Sequence, residues 1–105
     1  MDRLNQLKQF AQEEPNDPFN SYALALEYLK TNALEAGRLF EKLITKHPDY
    51  LPTYYPYAQW LIERKDADKA ETIFQKGMAT ALALKDFKTL KEIKAAHLDW
   101  KYDLR

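Results

Sequence analysis

Residues 33–48 read ALEAGRLFEKLITKHP, and residues 67–82 read ADKAETIFQKGMATAL. Both put an alanine four residues before a phenylalanine, Ala36 with Phe40 and Ala70 with Phe74, at an offset of about 34 residues. Apolar residues follow at helical spacing, Leu43 and Ile44 in one stretch and Gly77, Met78 and Ala81 in the other. A small residue one turn before a large ring lets two helix backbones approach while the ring fills the space beside them. The repeat therefore predicts a fold built of paired helices.

Working outward, the helical period continues almost to both ends. Leu4, Leu7, Phe10 and Ala11 form a first stripe, which Pro15-Asn16-Asp17-Pro18 interrupts. Asp17 reads as an N-cap and Pro18 as a first helical residue, where its missing N–H costs nothing. The second helix should run from about Pro18 to Lys30, with Phe19, Tyr22, Leu26 and Leu29 on one side and Leu24, Ala25 and Tyr28 on the other. Asn32 with Glu35 resembles a capping box for the third helix, which ends near His47-Pro48. A fourth helix starts around Leu51-Pro52 and carries Tyr54, Tyr55, Tyr57, Ala58, Leu61 and Ile62. Pro56 inside it predicts an irregularity or a later start. Asp66 and Asp86 cap a fifth and a sixth helix, the last carrying Phe87, Leu90, Ile93, His97 and Trp100. The expected fold class is all-α, a six-helix antiparallel hairpin array. Such an array should have polar outer faces at its ends, with Lys8, Gln12, Glu13 and Glu14 in the first helix and Lys91, Lys94 and Asp99 in the last.

These positions resemble the tetratricopeptide repeat (TPR), in a short bacterial-type form. Tyr54-x2-Tyr57-Ala58-x2-Leu61 followed by Ala70-x3-Phe74 matches one repeat. Leu24-Ala25-x2-Tyr28, Ala36-x3-Phe40 and Pro48 match another, with Ser21 in place of the leading aromatic and a turn one residue shorter. The resemblance implies a right-handed α-α superhelix in one domain spanning 1–105. Its parts are a half-repeat helix over 1–14, repeats over 18–47 and 50–84, and a capping helix over 86–102. It also implies a concave groove lined by the first helices of successive repeats. The matching positions here are Phe19, Tyr22, Leu26 and Leu29, then Tyr55, Gln59, Ile62 and Glu63. Phe19, Tyr22, Leu26, Tyr55, Gln59 and Ile62 are the candidate partner-binding residues. Tyr22, Leu29 and Ile62 equally fit a packing role between helices. Some members of the family clamp a C-terminal carboxylate with Lys, Asn and Arg. The Asn and Arg places are Ala23 and Pro56 here, so an apolar helical or extended segment is the expected ligand.

Composition narrows the function further. Sixteen basic and sixteen acidic residues are interspersed, without the basic stripe of a nucleic-acid binder. There is no cysteine, and so no disulfide or thiolate site. His47 and His97 stand on different helices with no ligand partner at helical spacing, His97 fitting a satisfied core position. No Gly-rich phosphate loop occurs, and Ser21 is the only serine. No enzyme activity, metal or cofactor is expected. The Met1-Asp2-Arg3-Leu4-Asn5 start lacks a signal-peptide run and no stretch reaches membrane-span length, which makes the cytoplasm the expected location and a membrane partner unexpected. The expected function is a non-catalytic module that binds another protein or peptide. Its rival is a homodimer formed through the same groove or through the aromatic C-terminal helix with Trp100 and Tyr102.

Overall fold

The computed structural model describes residues 2–103. The expected domain bounds 1–105 thus include Met1, Leu104 and Arg105, which lie outside the described residues. Six α-helices and no strand occur among the described residues, so the fold is all-α. The chain divides into two compact units, residues 1–50 and 51–105.

The first unit holds α1 (Arg3–Glu13), α2 (Pro18–Thr31) and α3 (Ala33–Lys46). Helix α2 packs against both α1 and α3. Asp17 caps α2 by accepting the Phe19 N–H at 3.0 Å, and Pro18 occupies the first turn. A single residue, Asn32, joins α2 to α3. Its side chain accepts the Glu35 N–H at 3.3 Å, while its own N–H donates to the Tyr28 carbonyl at 2.7 Å. That second bond explains why only half of the expected capping box forms. The Asn32 N–H already closes α2, and Glu35 turns to Arg38 instead, at 3.6 Å. Leu24 and Ala25 of α2 and Ala36, Phe40, Leu43 and Ile44 of α3 are buried together with Leu7 of α1. Phe10 departs from the expected first stripe and is 51% exposed. It stands about 60° around the helix from buried Leu7, away from the arc where α1 packs on α2.

The second unit opens with a 3₁₀ turn, Leu51–Thr53, followed by α4 (Tyr54–Glu63), α5 (Ala67–Ala83) and α6 (Phe87–Tyr102). Pro56 is thereby the third residue of α4, within the first turn, where backbone N–H groups have no intrahelical acceptor to lose. The 3₁₀ turn is the irregularity the proline requires. Tyr54, Tyr57, Ala58 and Leu61 of α4, Ala70, Ile73, Phe74 and Ala81 of α5, and Ile93 and His97 of α6 make the core of this unit.

The two turns of the second unit share one design. The Asp66 N–H reaches back to the Leu61 carbonyl and the Asp86 N–H to the Ala81 carbonyl, both at 2.9 Å. The preceding Lys65 and Lys85 adopt left-handed φ values of 62° and 58°. These are Schellman closures. The same aspartates then cap the next helix, Asp66 accepting from the Lys69 N–H and Asp86 from the Thr89 N–H.

The outer face of α6 is less polar than expected. Lys91 and Lys94 are exposed on it, but so are Phe87 (61%), Leu98 and Tyr102 (62%). Phe87 stands about 120° around the helix from buried Ile93, outside the arc that α5 covers.

Candidate functional site

Helix α2 presents Phe19, Tyr22 and Leu26 at i, i+3 and i+7, a single stripe. All three line a hollow of about 400 Å³ with Ala23, Glu27 and Lys30 of α2 and Arg3 of α1. Phe19 is 59% exposed, whereas Tyr22 and Leu26 are half-buried. Tyr22 also meets Tyr50 edge to face, with ring centroids 5.6 Å apart, so it packs as well as lines. Burial raises both phenols above the ordinary tyrosine value, and for Tyr50 the charges of Tyr22 and Asp17 add to the effect. Charge gathers at the edge of this hollow. The Glu27 carboxylate takes the Arg3 Nε at 3.1 Å and the Lys30 Nζ at 3.5 Å. Ala23 offers no donor there.

In the second unit, Tyr55, Gln59 and Ile62 share a stripe of α4 at i, i+4 and i+7. Tyr55 is 47% exposed and lines a larger hollow of about 910 Å³ with Glu92, Ala95, Ala96, Leu98 and Asp99 of α6. Gln59 and Ile62 are half-buried and are not among its lining residues. The hollow therefore engages one of the three α4 candidates. Its α6 wall was legible only as a spacing: Glu92, Ala95, Ala96 and Asp99 fall at i, i+3, i+4 and i+7. Arg3 in the first unit lacked even that signal, since it lies 24 positions from Glu27.

The remaining ionisable cluster holds helices together. His97 is buried, with Nε2 2.9 Å from both Glu71 carboxylate oxygens, and its ring lies 5.1 Å from Phe74. Trp100 stacks on Phe74 with ring centroids 5.5 Å apart. The hydrogen bonds from Gln75 and then His97 lower the Glu71 carboxyl below its ordinary value. This ties α5 to α6 within the core and places no reactive group in either hollow. Among the described residues no three His, Asp or Glu side chains converge as metal ligands, and no helix is long and apolar enough to cross a membrane.

Known proteins carry the same architecture. The tetratricopeptide repeat family model matches residues 30–92. The solution structure of a tetratricopeptide repeat domain protein from Salinibacter ruber is 38% identical, with a TM-score of 0.77 over 82% of this chain and 88% of that one. A crystal structure of a tetratricopeptide repeat domain protein from the same organism is also 38% identical, with a TM-score of 0.74 over 79% of this chain and 94% of that one. No curated protein matches significantly. The fold thus recurs in solved tetratricopeptide repeat domains of 38% identity, and this chain belongs to the tetratricopeptide repeat family.

Proposed function

We propose that this chain is a non-catalytic interaction module, one repeat array over residues 1–105, that holds an apolar helical or extended segment of another protein. The contacts are Phe19, Tyr22 and Leu26 in the first unit and Tyr55, Gln59 and Ile62 in the second. The observation that carries the reading is the exposure of Phe19 and Tyr55 beside concave, largely apolar surfaces. An exposed aromatic next to a hollow loses water on docking and is the residue type that anchors protein interfaces. The fold supports protein interaction in general, and members of the family typically serve as scaffolds rather than catalysts. The module needs no cofactor or metal and works in the cytoplasm.

The test is quantitative capture from native lysate with the wild type and with Phe19→Ala/Tyr55→Ala. Proteins held by the wild type should drop at least about tenfold with the double variant. Unchanged amide spectra away from the two sites would show that the fold persists. Retention of the same proteins would reject these contacts.

The exposure of Leu98 and Tyr102 on α6 favours a second reading, in which a second copy covers this helix. A mass in solution that stays dimeric on dilution through the micromolar range would establish it, and a monomer would dismiss it.

A further inference from the structure

The hollow of the second unit has a chemical signature of its own. Ala95 and Ala96 form a low floor, with Tyr55 across from them on α4 and Leu98 beside them. Glu92 lies about one helical turn before this floor and Asp99 about one turn after it, so the two carboxylates stand roughly 10 Å apart along α6. Among the described residues these are the only charged groups lining the hollow; Lys88, Lys91, Lys94 and Lys101 of the same helix are not among its lining residues. Neither carboxylate side chain accepts a hydrogen bond or joins an ion pair among the described residues, unlike Glu71 and Glu27. The volume falls within the roughly 300–1,000 Å³ of ligand-sized concavities.

We infer that this hollow seats an amphipathic helix of another protein, with a bulky apolar side chain over Ala95 and Ala96 and a Lys or Arg at each end reaching Glu92 and Asp99. The small floor lets a helix backbone come close, as Ala36 and Ala70 do inside the fold. The spacing of the carboxylates sets the spacing of the cations at about seven residues on a helix lying along α6. An acidic segment would meet repulsion at both ends. This inference rests on the partner-segment reading of Tyr55 and adds the chemistry of the partner.

The experiment uses the full chain and two helical peptides with the same apolar face. One carries Lys at two positions about seven residues apart, and its twin carries Glu at both. Binding is followed by amide chemical shifts and titration at low and high salt. The Lys peptide should bind about tenfold more tightly than its twin and shift Tyr55, Ala95 and Leu98, and the preference should shrink as salt screens it. Glu92→Lys/Asp99→Lys should reverse the preference. Equal affinities, or a stronger Glu peptide, would overturn the inference. So would a dimer that protects the same residues. Peptide shifts confined to Phe19 and Leu26 would overturn it while leaving the partner-segment reading intact; no binding anywhere would reject both.

Discussion

Gly77 of α5 lies against Tyr54 of α4 so closely that a Cβ placed on it would stand 2.9 Å from the Tyr54 Cβ and 3.0 Å from its Cγ. Those atoms sit at the root of a fully buried side chain and cannot swing aside as the end of a flexible chain would. Ile93 Cδ1, at 3.2 Å, closes the space from α6. Gly77 is thus the point where all three helices of the second unit meet.

Gly77→Ala is expected to destabilise the protein. Alanine favours a helix over glycine by about 1 kcal/mol. Overpacking a tight core costs about 1–3 kcal/mol. With the backbone-proximal Tyr54 atoms in the way, the packing cost wins, and the net loss should reach up to about 2 kcal/mol. Urea denaturation of both proteins measures it; a variant as stable as the wild type would show that α4 and α5 separate cheaply. Ala36→Leu and Ala70→Leu press on equally closed sites and should lose about 1–3 kcal/mol each.

The Ala-x3-Phe pairs were legible because close packing needs a small residue and a large one at a fixed helical spacing, whatever surrounds them. The aspartate caps were legible because capping is local. Gly77 could be read as a core residue but not as the meeting point with Tyr54, which lies 23 positions away. The same reason hides the Glu71–His97 bond, made across 26 positions. Phe10 and Phe87 misled because periodicity gives the apolar stripe of a helix but not how much of it a neighbour covers. Of the candidate contacts, Phe19, Tyr22, Leu26 and Tyr55 line hollows, while Asp99 read only as part of the polar outer face of α6, because the sequence does not show which hollow a surface carboxylate borders.

Lys85 offers the opposite test. It holds a left-handed conformation at the α5–α6 turn, where a side chain costs about 1–2 kcal/mol that glycine avoids. Glycine gives back part of this through the greater freedom of the unfolded chain, about 0.4–1 kcal/mol. Lys85→Gly should therefore stabilise by about 0.5–1 kcal/mol, and Lys65→Gly at the preceding turn by a similar amount. The two changes should add, because they serve separate turns. A fall in melting temperature for either would mean that the lysine side chain contributes more than its backbone costs.

Thr53 is fully buried, and its hydroxyl has no hydrogen-bond partner among the described residues. It precedes α4 in helical backbone geometry and makes no capping bond. A buried hydroxyl without a partner forfeits its hydration, typically about 1–3 kcal/mol. Valine has the same branched shape without the hydroxyl. Thr53→Val should raise the urea midpoint, by roughly 1 kcal/mol of stability. Thr53→Ser keeps the hydroxyl, loses the methyl and should lower it. If valine destabilises as serine does, the hydroxyl has a partner in solution.

Acid should loosen the α5–α6 contact first. The Glu71 carboxyl is held below its ordinary value by hydrogen bonds from Gln75 and His97, and the Asp86 carboxyl by the backbone N–H and then the hydroxyl of Thr89. A folded-state value below the unfolded one stabilises the protein fully above the ordinary carboxylate range. As pH falls through that range the unfolded chain takes up its proton first, and the contribution is gone once the folded group is protonated too. Stability should accordingly stay level above the ordinary values of these two groups and decline as the pH falls through and below them. Glu71→Gln removes one titration while preserving shape, so its stability should decline less steeply over the same interval. Carboxyl carbon shifts of Glu71 should give a midpoint below that of an exposed glutamate, and Gln75→Ala should move it upward, since the Gln75 amide is the largest of the effects holding it down. A Glu71 midpoint at or above the ordinary value, with Gln75→Ala leaving it unmoved, would mean that the bonds to Gln75 and His97 do not favour the charged carboxylate.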